Sequence, residues 1–392
     1  MASHLPSASS SSTASIEIDQ KTQGLARRMA DLHLDAVLLE TPPNFAWITA
    51  GASNAIDLTG ETGVGAVLVA RDGRRWLLAN QIEMPRFLEE DGLEGRGFTP
   101  ADFPWTAEPG DPGWRTTQVW KLLGAGARLG LDRVPHPALG PVQGVGPEIA
   151  RLRARLTPPE VERYRALGRD AGEALGEVCR GLRPGLSEDE IAGRLAAALL
   201  ARGAVPVVLL VGSDARLERF RHPLPTAQSW ERAVMVVACA RRGGLIAALT
   251  RIVWAGPVPE EVRRRTRAAA EVNARLLAAT RPGVTGDELF AVAARAYEEL
   301  GFPGEEKRHH QGGPCGYQSR DWIAGPGSAE TVVSPQAFAW NPSITGTKVE
   351  ETWIVGEEGA ERITGTAGWP VLEVESGGRT YPIPDVVSLG NL

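Results

Sequence analysis

Six histidines occur in the 392 residues, and only His222, His309 and His310 lie beyond residue 136. Imidazole exchanges its proton near neutral pH, so acid/base chemistry in that part of the chain has three candidates. His222 stands in Arg219-Phe-Arg221-His222-Pro-Leu-Pro-Thr226. A residue before proline is held extended and out of helix, so its ring can project from a loop into a cleft. The second segment, Arg308-His-His310-Gln-Gly-Gly313-Pro-Cys-Gly316-Tyr317-Gln-Ser-Arg320-Asp, combines glycines with basic and aromatic side chains. Glycine lets backbone approach a ligand closely, so this reads as a binding loop. The third, Trp340-Asn341-Pro-Ser-Ile-Thr-Gly346-Thr-Lys-Val-Glu350-Glu351-Thr, reads as a hairpin with adjacent acids at the start of a strand. Strand side chains alternate, so only one of Glu350 and Glu351 can face a cleft.

The elements that position these residues follow from periodicity. Apolar residues recur at helical spacing from Thr22 to Leu34, and Asp35 to Glu40 is a strand-length run ended by Pro42-Pro43. Gly63 to Val69 and Trp76 to Ala79 flank the turn Arg71-Asp-Gly-Arg74, a hairpin pattern. These place an α/β domain over residues 18–150, closed by the Pro- and Gly-rich passage Pro135 to Pro147 and a helical pattern from Glu148 to Leu156. The second domain, residues 151–392, contains an internal echo. Arg183-Pro-Gly-Leu-Ser187-Glu-Asp-Glu190 and Arg281-Pro-Gly-Val-Thr285-Gly-Asp-Glu288 lie 98 residues apart, each between helical stretches. In both, Ser187 or Thr285 can cap a helix while the glutamate three positions later reaches back. After the helical pairs come β-branched runs at Val207–Val211, Ala233–Ala238, Leu245–Trp254, Gln336–Trp340 and Thr352–Val355, expected as strands of one curved sheet whose polar ends line a cleft between duplicated halves.

Composition narrows the function classes. The chain is 43% hydrophobic and 23% charged, with 42 basic against 48 acidic residues, so no basic field is available for nucleic acid. The three dispersed cysteines suit neither a disulfide framework nor a zinc cluster and point to a reducing, cytoplasmic compartment. No run is long and apolar enough for a membrane span. The Ser- and Ala-rich opening, residues 1–17, reads as a disordered tail.

With these residues in view, the chain resembles the creatinase/prolidase/methionine aminopeptidase superfamily (peptidase family M24). Pro42-Pro-Asn44-Phe-Ala-Trp47-Ile-Thr-Ala-Gly51 is similar to the family's strand end and turn. Leu156-Thr-Pro-Pro-Glu160 and both Arg-Pro-Gly repeats match its scaffold. The resemblance implies an α/β (α+β) protein: a creatinase-like N-terminal α/β domain followed by a pseudo-symmetric pita-bread domain. It also implies a homodimer. Family peptidases hold two divalent metals through two aspartates, a histidine and two glutamates. With Thr250-Arg251 as anchor, the resemblance puts those positions at Val237, Ala248, His310, Asn341 and Glu350, so only His310 and Glu350 remain. A shift of register would recruit His309 or Glu351, but no acid lies near Val237 or Ala248. Two dications need several ligands and compensating carboxylates, so no metal and no other cofactor is expected.

Creatinase itself resembles the metallopeptidases yet works without metal, using a histidine equivalent to His222. Its Ala-Leu-Glu-Arg stretch resembles Ala248-Leu-Thr250-Arg251, with Thr250 in place of the glutamate. The expected function is therefore a metal-independent, creatinase-like hydrolase of a C–N bond in a small amino-acid-like or dipeptide-like compound. His222 is the expected general acid/base, Glu350 (less so Glu351) orients or charge-stabilises a neighbour, and His310 and Asn341 donate to a developing oxyanion. Arg320 or Arg221 is expected to hold a substrate carboxylate, with Tyr317 at the pocket wall. The competing readings are a non-catalytic peptide-binding pseudopeptidase and a lyase, dehydratase or cyclase of biosynthesis, with an Xaa-Pro metallopeptidase placed last.

Overall fold

The computed structural model describes residues 8–108, 111, 113–124, 126–135 and 142–391. It divides into two compact units on either side of Arg153 and Ala154.

The first unit begins with helix α1 (Ala8–Asp31). The tail expected over residues 1–17 is thus helical from Ala8, and residues 1–7 lie outside the described residues. The helix extends this far because Glu17 and Ile18 are buried and Lys21, one turn on, donates to Glu17 Oε1 (2.6 Å) and to the Trp47 carbonyl (2.7 Å). Strands β1 (Ala36–Leu39), β2 (Gly65–Ala70), β3 (Arg75–Asn80), β4 (Thr99–Phe103), β5 (Leu129–Leu131) and β6 (Val142–Gly144) form one sheet in the order β4-β3-β2-β1-β5-β6. Helices α2 (Pro42–Ile48), α3 (Met84–Glu89), α4 (Trp114–Leu123) and α5 (Gly146–Ala154) join them. Prolines at its first positions make the Pro42-Pro43 passage a helix start rather than a strand end. Asp132, just past β5, fixes it by accepting from the Thr41 hydroxyl (2.6 Å) and from Asn44 Nδ2 (2.9 Å). Of the expected linker Pro135 to Pro147, residues 136–141 lie outside the described residues, Val142–Gly144 form β6, and Gly146 and Pro147 open α5.

The second unit is built twice from one pattern. Helices α6 (Pro158–Arg180) and α7 (Glu188–Leu200) precede β7 (Val205–Ser213), the short α8 (Ala215–Arg219), β8 (Ala233–Arg242) and β9 (Leu245–Trp254). Helices α9 (Glu260–Ala279) and α10 (Gly286–Glu299) precede β10 (Gly312–Cys315), β11 (Gln336–Trp340), the hairpin β12 (Ser343–Ile344) and β13 (Thr347–Lys348), then β14 (Glu351–Gly356) and β15 (Gly359–Arg362). Strands β16 (Val371–Ser376), β17 (Arg379–Pro384) and β18 (Val387–Ser388) close the chain. Both anticipated capping boxes form, Ser187 with Glu190 and Thr285 with Glu288. The loops that meet them are also equivalent: Gly185 N donates to the Trp230 carbonyl as Gly283 N does to that of Val332, and Ser187 bridges Ser229 as Thr285 bridges Thr331.

The strands expected in one curved sheet form two, β18-β9-β8-β7 and β10-β11-β14-β15. The seam is held by scattered bonds rather than a continuous ladder. Thr250 N donates to the Glu350 carbonyl (3.1 Å) and Ile246 N to that of Gly316 (2.8 Å). Between them the Thr352 hydroxyl takes the Ala248 N–H (2.8 Å) and returns a bond to the Ala248 carbonyl (2.9 Å), replacing a backbone pair. Among the described residues no helix is long and apolar enough to cross a membrane.

Candidate active site

Three segments of the second unit converge beside this seam. The loop after α8 carries His222, the passage into β10 carries His309 and His310, and the β12–β13 hairpin leads to Glu350. The hairpin turns at Thr345-Gly346, where Gly346 has φ +88°, a left-handed conformation that glycine adopts without strain. Arg221 ties the segments together: its guanidinium donates to Glu305 Oε2 and to the Thr345 hydroxyl (3.1 Å), and Glu305 in turn accepts from Thr345 N (3.2 Å) and Oγ1 (2.9 Å). A buried tyrosine holds the other side. Tyr297 Oη accepts the Ser343 N–H (3.0 Å) and lies 3.0 Å from Gln311 Oε1, while Gln311 Nε2 donates to the His309 carbonyl (2.7 Å).

The three imidazoles form one cluster. Nitrogens of all three lie within 4.8 Å of one another. His309 Nε2 and His222 Nε2 are 3.1 Å apart, and His309 Nδ1 is 3.0 Å from Ser343 Oγ. His310 Nδ1 accepts the Gly312 N–H (3.2 Å), which leaves the proton of the neutral ring on Nε2. The cluster grades from exposed His222 to buried His309. Burial, reinforced by Lys348, pushes His309 down to about 2. Burial and Arg320 push His310 down to about 4, and burial with Lys348 also lowers His222. All three rings thus rest neutral at pH 7 and add no fixed charge to the site.

Glu350 lies beside the cluster, electrostatically coupled to each ring. It accepts from the Thr250 hydroxyl (2.7 Å) and Arg320 Nη2 (2.9 Å), and Lys348 Nζ is 2.8 Å from Oε2. Burial alone would raise this carboxyl, but Lys348 and Arg320, with the bonds from Lys348 and Thr250, outweigh it and hold it at about 2. Asn341 is buried at the end of β11. Its N–H donates to the Gln311 carbonyl (3.0 Å), and its Oδ1 has no partner. Gly312 makes room for it: a Cβ there would lie 2.8 Å from Asn341 Oδ1 and 2.2 Å from the Ala339 carbonyl oxygen.

Of the residues singled out in the sequence, His222, His310, Glu350, Arg320 and Asn341 come together here. Three do not join them. Tyr317 is buried with its hydroxyl on Glu160 Oε1 (2.6 Å), not on a pocket wall. Arg221 spends its guanidinium on Glu305 and Thr345, so its contribution is to position the hairpin rather than to hold a carboxylate. Glu351 faces the opposite side of the strand, where it accepts from Arg251 Nη2 (2.8 Å) and Thr364 Oγ1 (2.5 Å). Three residues that the sequence reading gave no role complete the site: Ser343, Lys348 and Gln311. His309 entered it only as a substitute ligand. Lys348 had a legible signal, since it stands two positions before Glu350 in an extended segment and so shares its face. Val237 and Ala248, both buried, occupy β8 and β9, with Val237 opposite Thr250.

The family model for "Metallopeptidase family M24" matches residues 162–365. The chain belongs to that family, and its second unit has the pita-bread fold of the creatinase/aminopeptidase superfamily. A curated Xaa-Pro dipeptidase of Pyrococcus horikoshii is 22% identical over 364 residues, 89% of this chain and 98% of that protein. Another Xaa-Pro dipeptidase, from Pyrococcus furiosus, is 24% identical over 227 residues, a match that covers 56% of this chain and 65% of that one. Among solved structures, the prolidase of P. horikoshii superposes with TM-score 0.74 at 20% identity, covering 88% of this chain and 98% of that one. The dipeptidase PepE of Mycobacterium ulcerans gives 0.75 at 18% identity, covering 96% and 98%.

Proposed function

We propose that the chain is a hydrolase of an amide-type C–N bond in a small amino-acid- or dipeptide-like compound, working through side chains in place of a pair of carboxylate-bridged dications. The observation that carries this reading is the paired imidazoles of His222 and His309, 3.1 Å apart and anchored on Ser343. His309 fixes the ring of His222, which takes a proton from the attacking water and returns it to the leaving nitrogen as the bond to carbon breaks. His310 offers its Nε2 proton to the oxyanion that forms on the carbonyl carbon. Asn341 Oδ1, buried and without a partner, accepts from an N–H of the substrate. The products are a carboxylic acid and an amine.

The residues present do not fit a two-metal centre. Val237 and Ala248 offer no ligand, and both oxygens of Glu350 are already engaged. A dication among the imidazoles would face Lys348 and Arg320, and His310 would have to surrender the Gly312 N–H bond to turn a lone pair towards it. The names of the relatives make Xaa-Pro dipeptides the first substrates to try, ahead of other small amides and amidines. The test is metal content by inductively coupled plasma mass spectrometry after incubation with manganese, cobalt and zinc and dialysis, paired with turnover of these compounds with and without chelator. The expected result is substoichiometric metal, turnover that survives the chelator, and a roughly 10²- to 10⁴-fold loss in His222→Ala. Near-stoichiometric metal with chelator-sensitive turnover overturns the metal-free reading, and undiminished turnover in His222→Ala overturns the acid/base assignment.

A further inference from the structure

His222 belongs to an excursion that leaves the sheet at the end of β7, passes through α8 and returns towards β8. A surface segment that carries a reacting group must have its ends pinned if the ring is to keep one position. Here one side chain pins both ends. Glu188, fully buried in the first turn of α7, accepts at Oε1 from the Ser213 N–H and hydroxyl (2.8 Å each). Its Oε2 accepts from the Thr226 N–H (3.1 Å) and hydroxyl (2.8 Å). Arg216, on α8 between them, donates to the same Oε2 and to the Leu224 carbonyl (2.8 Å). The helix itself does not call for this carboxylate, since Ser187 and Glu190 already close its N-terminus.

The duplicated half supplies a control. There the residue after the capping Thr285 is Gly286, and the backbone bonds are kept: Glu188 N donates to the Gln228 carbonyl (3.0 Å) as Gly286 N does to that of Glu330 (2.9 Å). A Cβ at Gly286 would lie 2.4 Å from Ser328 Oγ, so no side chain fits. The scaffold thus forms without a carboxylate at this place, and only the half that carries His222 has one. The hold passes to the imidazole through one further contact. Gly212 precedes Ser213, and a Cβ on it would lie 2.4 Å from Cγ of Pro223, the residue after His222. Fixing Ser213 therefore fixes the surface on which Pro223 rests, and with it the backbone that sets His222 Nε2 3.1 Å from His309. We infer that Glu188 is a positioning residue for His222: its carboxylate holds both ends of the segment that carries the ring and touches no reacting atom. Its part in catalysis rests on the hydrolase reading, while the placement of the ring can be measured without a substrate.

Glu188→Gln keeps the size of the side chain, but the amide nitrogen cannot accept, so one end of the segment is released. The full chain has six histidines, few enough to follow one by one after isotope labelling, and the signal of His222 is the one absent from His222→Ala. Ring centroids of His222 and His309 are 4.9 Å apart, so a nuclear Overhauser contact between them is expected in the wild type and its loss in Glu188→Gln. With a substrate in hand, kcat should fall about 10- to 100-fold and KM change by less than about twofold, the cost of misplacing a reacting group by about 1 Å. Because Glu188 acts through His222, adding Glu188→Gln to His222→Ala should cost nothing more, whereas a merely structural role would add its loss in full. Thr226→Val removes one donor at an exposed position and should show a smaller loss of both contact and kcat, which decides the matter if Glu188→Gln does not fold. An intact ring contact in the folded variants, or additive losses in the cycle, overturns the assignment. Loss of the contact without turnover of any C–N substrate would leave Glu188 positioning the ring and remove the hydrolase, whereas turnover with additive losses would do the reverse.

Discussion

Glu350 and Glu351 are neighbours in sequence, equally buried, and each is matched with an arginine and a threonine hydroxyl. Their surroundings nevertheless differ in kind. Around Glu351 the network is more nearly closed: Arg251, whose Nε alone lacks a partner, also donates to Thr366 Oγ1 (2.8 Å) and lies over the Trp369 ring, and Thr364 also accepts the Thr352 N–H (2.8 Å). Around Glu350 the network is open, with unspent donors on Lys348 and Arg320, an unpartnered acceptor on nearby Asn341 and imidazoles leading out to exposed His222. Breaking either buried pair would leave an uncompensated charge, but only the Glu350 side leads through the imidazoles to an exposed residue.

The largest effect should come from breaking the closed side. Glu351→Ala leaves the Arg251 guanidinium, 1% exposed, without its carboxylate and opens a cavity at the sheet seam. Removing one partner of a buried pair costs about 3–5 kcal/mol, to be read from urea unfolding. A loss under about 1 kcal/mol would show that this side is as open to water as the other.

On the open side the same kind of change should act on chemistry more than on folding. Glu350→Gln keeps the shape but leaves Lys348 and Arg320 without an anion. Turnover should fall roughly 10²- to 10³-fold, as when a preorganised electrostatic partner is removed. Because water reaches the cluster from His222, its unfolding free energy should drop by less than that of Glu351→Ala, and added acetate should restore part of the difference. If Glu350→Gln unfolds as readily as Glu351→Ala and acetate has no effect, the distinction between the two faces is lost.

How much of this was legible in the sequence depended on range. The capping boxes at Ser187 and Thr285 could be read because their partners lie three residues away, and the alternation rule separated Glu350 from Glu351 because it is local to one strand. Tyr317 and Arg221 were misplaced because their partners, Glu160 and Glu305, lie 157 and 84 residues away. Nothing at short range distinguishes a tyrosine that lines a pocket from one whose hydroxyl is spent on a distant carboxylate. The split of the sheet was hidden for a similar reason, since β-branched runs identify strands but not the seam where Thr352 replaces a ladder bond. The helical start at Ala8 was hidden because the burial of Glu17 and Ile18 and the bond from Lys21 to the Trp47 carbonyl, 26 residues on, are not revealed by composition.

The two threonines offer a smaller, matched comparison. Thr250→Val removes one hydroxyl donor from Glu350, which keeps Lys348 and Arg320 and should lose about 1.5 kcal/mol or less. Thr364→Val removes the donor to Glu351 and also orphans the Thr352 N–H, so about 3 kcal/mol is expected from the same denaturation measurement. Equal losses would mean that the closed face tolerates an unpaired group as well as the open one does.

Acid should separate the two faces by sign. The rings of His222, His309 and His310 have folded pKa values below the ordinary 6.5, so as pH falls through 6.5 the unfolded chain takes up protons that the folded chain refuses. Stability contributed by these neutral rings is therefore present above 6.5 and lost below it, with a limiting slope of about 1.4 kcal/mol per pH unit for each group. Glu350, held at about 2, adds a loss of the same sign once pH falls below its ordinary 4.5. Glu351 runs the other way. Burial raises its carboxyl against the pull of Arg251 and Thr364, so the folded state binds its proton first and acidification towards 4.5 relieves strain on the closed face. His309→Gln, which keeps a polar group near Ser343 but cannot titrate, should flatten the stability profile between pH 6.5 and 4 by up to one such slope and leave the Glu351 contribution untouched. Urea midpoints measured across that interval decide the matter, and parallel profiles for the wild type and His309→Gln would show that His309 is not the buried neutral base on which the open face depends.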